Sequence, residues 1–367
     1  MTWKAWASSQ NDAVRADGRW RTIRELDLNG PTGMVDSHEV VSFASNDYLG
    51  LSAHPEVVAG ARAALERWGA GSGSARLIAG SRPVHSELER ALAEWKDTRA
   101  ALLFPNGYAA NLGVLTVFGG PEVTIFSDER NHASIIDGCR MARARVEVFT
   151  HLDYEALEAR LAREPRSIVV SDTVFSMDGD VADVQRLTSV CREHAALLVL
   201  DEAHAVLGPE VDLYGVQALR VGTMSKFLGA MGGFVAGDPT LLELLVNRAR
   251  PFIFTTAGSP ADAGAALAAL EVLRSREGGR LKQHLRDLLE RLAPGHPSPI
   301  VSIIVGGEHE AVKTSEALLE RGLVVPAIRP PSVAPGTSRL RVTLSAAHTH
   351  EQVDSLRSAL NEVVTRA

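Results

Sequence analysis

Between Ala100 and Asp201 the chain alternates apolar runs of strand length with amphipathic stretches of helix length, and few folds accommodate that rhythm. Ala101–Phe104, Val123–Phe126, Val146–Phe149, Ile168–Val170 and Leu197–Leu200 read as strands. Ala109–Phe118, His132–Arg143, Tyr154–Arg163 and Val184–His194 read as the helices between them. Strands separated in this way favour a mainly parallel central sheet with helices on both faces, an α/β fold. Leu197–Leu200 contains no polar residue, as expected of a strand covered on both sides.

The flanking regions extend the pattern. Pro55 opens a helix whose Val57, Val58, Ala61, Leu65 and Trp68 follow the helical period, and Pro83–Trp95 does the same with Val84, Leu88, Leu92 and Trp95. Gly233–Ala236 reads as a further strand, and the helix Pro239–Arg248 closes a large domain. Helices Ser259–Arg274 and Leu281–Leu292 follow. Ile300–Val305, a helix near Glu310–Arg321, Leu340–Leu344 and a last helix His350–Val364 suit a smaller α+β C-terminal domain. The expected division is an N-terminal arm with a small-domain segment over 1–50, a large cofactor-binding domain over 51–255 and a C-terminal small domain over 256–367.

A formal net charge of -7 and a pI near 6.0 lack the basic footprint of a general nucleic-acid binder. Cys139 and Cys191 stand far apart and outside metal-ligand spacing, which suits buried inert thiols in a reducing cytoplasm. The N-terminus has no apolar core of the signal-peptide kind, and no apolar segment approaches the roughly 20 residues that cross a bilayer. The expectation is a soluble cytoplasmic protein without a membrane or nucleic-acid partner.

Two stretches carry the chemistry. The apolar run ending at Leu200 gives way abruptly to Asp201-Glu202-Ala203-His204, polar residues at the carboxyl end of a strand, where open α/β sheets bind ligands. Downstream, Lys226 sits in Val221-Gly222-Thr223-Met224-Ser225-Lys226, among hydroxyls, glycines and apolar residues instead of on a charged face. A lysine withdrawn from water is more readily neutral, and its amine can then attack a carbonyl to form a Schiff base. Pyridoxal phosphate needs such a lysine together with an acid for its pyridine nitrogen, and Asp201 can be that acid.

Other residues fit the same cofactor. His204 and Ser176 could reach its phenolic oxygen, and His132, after a strand end, could stack on the ring. Asn106-Gly107-Tyr108-Ala109 makes a strand-to-helix turn suited to a phosphate, with hydroxyls available from Thr223, Thr255 and Thr256. Arg329, Arg339 and Arg341 could grip a substrate carboxylate. Two rival motifs fail. The DEAH spelling has no phosphate-cradling G-x-x-x-x-G-K-[ST] to accompany it, and the glycine run after Trp68 never gives G-x-G-x-x-G.

The motifs SNDYLGL, GSGSARLIAG, HSELE, FPNGYAAN, DERNHASIIDG, VFSMDGD, DEAH, GTMSK and RPPSVAPGTSRLRVTLSAAHT occur in this order. As a set they closely resemble the α-oxoamine synthase family of fold-type I pyridoxal-phosphate-dependent transferases, from about Ser42 to His348. The resemblance implies Lys226 as the Schiff-base lysine, Asp201 as the pyridine partner and His132 as the stacking residue. It implies Ser176 and His204 at the phenolic oxygen, with Gly107, Tyr108 and Thr223 at the phosphate. Arg341 would bind the amino acid carboxylate, and Asn46 would lie near the substrate. It further implies a homodimer with shared active sites, in which Thr256 serves the neighbouring site. The ARLIAG form and the RPPSVAPGTSRLR segment look most like members that join L-alanine to a pimeloyl thioester of CoA or of a carrier protein. The alternative within the family is the acetylation of glycine by acetyl-CoA. Two stretches depart from the family: Arg274–Pro299 looks shorter than usual, and Thr255–Pro260 is less apolar.

Overall fold

The apolar runs pair into one seven-stranded sheet in the computed structural model, which describes residues 1–364. In chain order the strands are β1 (Ala100–Phe104), β2 (Thr124–Asp128), β3 (Arg145–Phe149), β4 (Ser167–Asp172), β5 (Leu197–Asp201), β6 (Ala218–Thr223) and β7 (Gly233–Gly237). Their spatial order is β1-β7-β6-β5-β4-β2-β3. Every neighbouring pair from β6 through β3 is parallel, while β7 runs antiparallel to both β6 and β1. The sheet is therefore mainly parallel, as the alternation predicts. β6 escaped the reading of apolar runs because Arg220 interrupts it. That guanidinium is held within the fold by Glu202, so a charged residue is accommodated inside a strand.

The helices of this region are α1 (Pro55–Trp68), α2 (Pro83–Trp95), α3 (Gly107–Phe118), α4 (Ala133–Met141), α5 (Tyr154–Leu161), α6 (Val184–Glu193), α7 (Pro239–Arg248), α8 (Pro260–Arg274) and α9 (Arg276–Leu292). Successive strand side chains point to opposite faces, and the two cores follow that period. Ile168, Val170 and Val199 pack with Val114 of α3, Ile135 of α4 and Leu245 of α7. Val169, Leu198 and Leu200 pack instead with Leu157 of α5 and Leu187 of α6. Cys139 and Cys191 are buried and free. Burial pushes their thiols up to about 11 and about 12, which keeps them protonated and inert.

Two units divide the chain. The larger contains Ser45–Ser302 and Thr343–Asp354, and the smaller contains Met1–Ala44, Ile303–Val342 and the chain from Ser355 onward. α8 and α9 fall in the larger unit, although the sequence division put them beyond residue 255. The reason is a close helix crossing: a Cβ on Gly60 of α1 would lie 2.7 Å from the carbonyl oxygen of Gly264 in α8. Only glycine at both positions lets the backbones approach so nearly.

In the smaller unit, strands Asp27–Asn29, Thr32–Val35 and His38–Ser42 form an antiparallel meander, and Leu323–Val324 adds in parallel beside the last. Ala327–Ile328 pairs antiparallel with Ser338–Thr343, and the helix Glu308–Leu319 completes an α+β arrangement. No described helix is long and apolar enough to cross a membrane.

Candidate active site

The carboxyl ends of β4, β5 and β6 open into a cavity of about 170 Å³ lined by Asn106, Gly107, Tyr108, Asn111, His132, Ser134, Asp172, Asp201, Ala203, His204, Thr223, Ser225 and Lys226. Seven residues singled out in the sequence meet there: Lys226, Asp201, His132, His204, Gly107, Tyr108 and Thr223.

One wall is the start of α3. Asn106 caps it, its Oδ1 accepting the Ala109 N–H at 2.8 Å, so the helix begins at Gly107, two residues before the sequence expectation. Uncapped N–H groups of the first turn then face the cavity with the positive end of the helix dipole. A Cβ on Gly107 would come within 3.4 Å of Thr223 Cβ, so the two walls of this corner meet closely. Thr223 Oγ1 lies 2.7 Å from Ser225 Oγ and donates to Gly232 O at 2.9 Å. Hydroxyls and helix N–H groups in one corner make a site for a phosphate.

Asp201, the last residue of β5, is buried and doubly held: Oδ1 accepts the Ala203 N–H at 2.9 Å, and Oδ2 accepts Nδ2 of Asn111 at 2.6 Å. Asn111 Nδ2 also donates to Ser134 Oγ at 2.9 Å, while its Oδ1 is buried without a partner among the described residues. A second acid, Asp172, ends the adjacent strand in register with Asp201. Burial, and then the charge of Asp201, pushes the Asp172 carboxyl well above the usual carboxylate range. Asp172 Oδ2 accepts the backbone N–H of His132 at 2.7 Å.

His132 caps α4, with Nδ1 2.8 Å from Ser134 Oγ. Burial lowers its pKa and outweighs the opposing pull of Asp201, so the ring is neutral and suited to stacking. Lys226 occupies a turn closed by the Gly229 N–H, which donates to Lys226 O at 3.1 Å. Gly229 has φ +62°, and a Cβ there would strike Ser52 N at 2.4 Å, so the turn bearing the lysine requires glycine.

The remaining sequence candidates stand elsewhere. Asn46 and His204 are joined through Tyr48, whose hydroxyl contacts Asn46 Oδ1 at 3.3 Å and His204 Nδ1. Ser176 is half-buried in a turn closed by the Phe175 N–H, which donates to Asp180 O at 2.9 Å, and is not among the residues lining the cavity. Thr256 is exposed and lines a different cavity with Arg76 and His85. Within the smaller unit, Arg329 Nη1 donates to Gly18 O at 2.8 Å, and Arg341 is buried in the strand Ser338–Thr343. Sequence reasoning passed over Tyr48, Asn111, Ser134 and Asp172, ordinary polar residues that only the fold makes notable.

The family described as aminotransferase class I and II matches residues 38–360. The chain belongs to that family. Within it, the α-oxoamine synthase resemblance of the motifs holds at full length. The 8-amino-7-oxononanoate synthase of Anaeromyxobacter dehalogenans is 46% identical, covering 98% of this chain and 95% of its own. A structure of serine palmitoyltransferase from S. paucimobilis, with a bound PLP–myriocin aldimine, superposes with TM-score 0.89 at 28% identity over 98% of each chain. An 8-amino-7-oxononanoate synthase structure from Francisella tularensis has the same fold, with TM-score 0.74 at 23% identity, covering 89% of this chain and 97% of the other.

Proposed function

We propose that this protein is a pyridoxal-phosphate-dependent acyltransferase that condenses L-alanine with a pimeloyl thioester, releasing carbon dioxide and the thiol carrier to give 8-amino-7-oxononanoate for biotin synthesis. The observation that carries the reading is one cavity lined by Lys226, Asp201, His132 and His204, in a chain 46% identical to an 8-amino-7-oxononanoate synthase. The donor set fits the cofactor. A buried acid and a lysine line one cavity, and a helix start with two hydroxyls forms a corner for the phosphate.

When bound, pyridoxal phosphate supplies a protonated ring able to take up the electron pair left as the amino acid's Cα loses a proton, and later a carboxylate. Lys226 would be the residue that holds the cofactor's aldehyde. Its amine would serve as the base that takes up the Cα proton of the amino acid and gives it back. Asp201 keeps the pyridine nitrogen protonated, with its carboxylate aimed by Asn111 and Ala203. Neutral His132 would stack on the ring. Gly107, Tyr108 and Thr223 would bind the phosphate, and His204 with Ser176 would serve the phenolic oxygen. Arg341, Arg329 and Asn46 hold the substrate. A homodimer working in the cytoplasm, with Thr256 serving the partner's site, completes the proposal.

The test is to supply the holoenzyme with each of L-alanine and glycine against pimeloyl-CoA, pimeloyl carrier protein and acetyl-CoA. Alanine with a pimeloyl thioester should release carbon dioxide and free thiol in equal amounts. Turnover of glycine with acetyl-CoA, and none of alanine, would transfer the protein to the sister reaction. Pyridoxamine phosphate left after one turnover, with no carbon dioxide, would make it an aminotransferase.

A further inference from the structure

Successive residues of an extended chain point to opposite faces, and the two carboxylates where β5 ends serve two cavities. Asp201 lines the active-site cavity, while Glu202 lines a second one of about 230 Å³ that shares no lining residue with the first. Phe227, the residue after Lys226, also belongs to the second cavity. Its cations come from three parts of the fold: Lys96 follows α2, Arg220 lies in β6, and Lys282 and Arg286 stand on α9.

Two of these cations are engaged within the protein. Glu202 accepts Nη2 of Arg220 at 3.1 Å and contacts Lys96 Nζ, while Arg220 Nη1 donates to Lys96 O at 2.6 Å. The Lys96 ammonium also lies 3.8 Å from the centroid of the Trp95 ring. Lys282 and Arg286 are different. They stand four positions apart on one helix, the spacing at which side chains are neighbours and like charges repel. Lys282 is half-buried; burial, and then the charge of Arg286, lowers its pKa, and no carboxylate opposes either effect. Among the described residues neither Lys282 nor Arg286 makes an ion pair or a side-chain hydrogen bond. Glu210, the other carboxylate of this cavity, is exposed and pairs with neither.

The charge balance sets the kind of ligand. Four cations against two carboxylates leave a surplus of positive charge in a concave wall, where it attracts anions more strongly than on an open surface. A phosphate group carries about 1.5 to 2 negative charges at pH 7 and several strong acceptor oxygens. A guanidinium fork beside an ammonium group suits those oxygens. We propose that this cavity is a binding site for a small molecule bearing a phosphate or diphosphate group, held by Lys282 and Arg286, with Lys96 and Arg220 adding positive charge behind them. The site is distinct from the phosphate corner at the start of α3 and is independent of the proposed function. Its walls include the residues that follow Asp201 and Lys226, so the ligand adjoins the chain on which the active site is built.

Calorimetric titration of the full-length protein tests it, with pyridoxal phosphate loaded first so that the active-site corner is filled. The probes are inorganic phosphate, pyrophosphate and citrate, each at the same low ionic strength. Pyrophosphate should bind, and more tightly than citrate. Lys282→Gln and Arg286→Gln should each weaken it about 10-fold, the loss expected for a hydrogen bond to a charged group. Arg280→Gln, an exposed position of the same helix outside the cavity, should leave it unchanged. Inorganic phosphate binding as tightly as pyrophosphate would mark a site for a single phosphate group, which the proposal includes. No binding of either phosphate, or affinity unaltered in both cavity variants, overturns it. An equal loss in Arg280→Gln would reduce it to diffuse surface charge, and citrate binding more tightly than pyrophosphate would replace phosphate with polycarboxylate chemistry.

Discussion

Asn111 Nδ2 lies 2.6 Å from Asp201 Oδ2, a hydrogen bond between residues 90 positions apart and both withdrawn from solvent. A neutral amide fixes the direction of a buried carboxylate without itself supplying a counter-charge. Replacing Asn111 with Leu keeps bulk and removes the bond. A hydrogen bond to a charged group contributes about 1.5–3 kcal/mol, so the dissociation constant for pyridoxal phosphate should rise roughly 10- to 100-fold. Titration of the apoprotein followed by visible absorbance measures it, and an unchanged constant would separate Asp201 from the cofactor.

His151 is the charged centre of a latch beside the site. Its Nδ1 lies 2.9 Å from Asp128 Oδ1, its Nε2 contacts Asp180, and its ring stands edge-on to Phe175. Burial alone would lower its pKa, but the hydrogen bonds and charges of Asp128 and Asp180 outweigh burial and raise it to about 9 from 6.5. A raised folded-state pKa gives stability that is complete below pH 6.5 and lost as pH climbs through 9. Wild-type Tm should therefore fall across that window, and His151→Gln should show a flatter profile from a lower start. Parallel profiles would mean that the imidazolium contributes nothing.

Glu202, next to Asp201, is buried between Lys96 and Arg220, with side-chain exposures of 2%, 7% and 12%. Glu202→Gln would leave two buried cations facing each other. Removing one partner of a buried pair costs about 3–5 kcal/mol, and adding Lys96→Met should restore part of the loss. Chemical denaturation of the two variants decides. A double variant no better than Glu202→Gln alone would show that charge is not the cause.

At the crossing of α1 and α8, Gly264→Ala would bring its Cβ to 2.6 Å from Gly60 O, a backbone atom with nowhere to go. Overpacking of this kind costs typically about 1–3 kcal/mol. Calorimetry should show a lowered Tm, and an unaltered one would mean that the helices separate at little cost.

How much of this was legible in the chain depended on the range of the signal. Strands such as Leu197–Asp201 announce themselves because burial on both faces demands an unbroken apolar run, and Asp201 stands out because it ends one. Lys226 was visible for the same local reason, a charge in an uncharged setting. Asn111 was not. It occupies an ordinary place in α3, and only the crossover of the chain brings it to the end of β5. Asp172 reads as a strand terminus until its register partner proves to be Asp201. Tyr48 stands within SNDYLGL, but nothing local marks it as the partner of His204, 156 positions away. Strand β6 was hidden by Arg220, whose partner Glu202 lies on another segment. Polar residues paired across the fold carry no periodic mark in the sequence, and these are the ones that were missed.

The account depends most on Lys226 carrying the cofactor. Protein incubated with pyridoxal phosphate, reduced with borohydride and digested should yield one modified peptide by mass spectrometry, the one containing Lys226, and Lys226→Ala protein should yield none. A stable modification on another lysine, or no modification of the wild type, would contradict it.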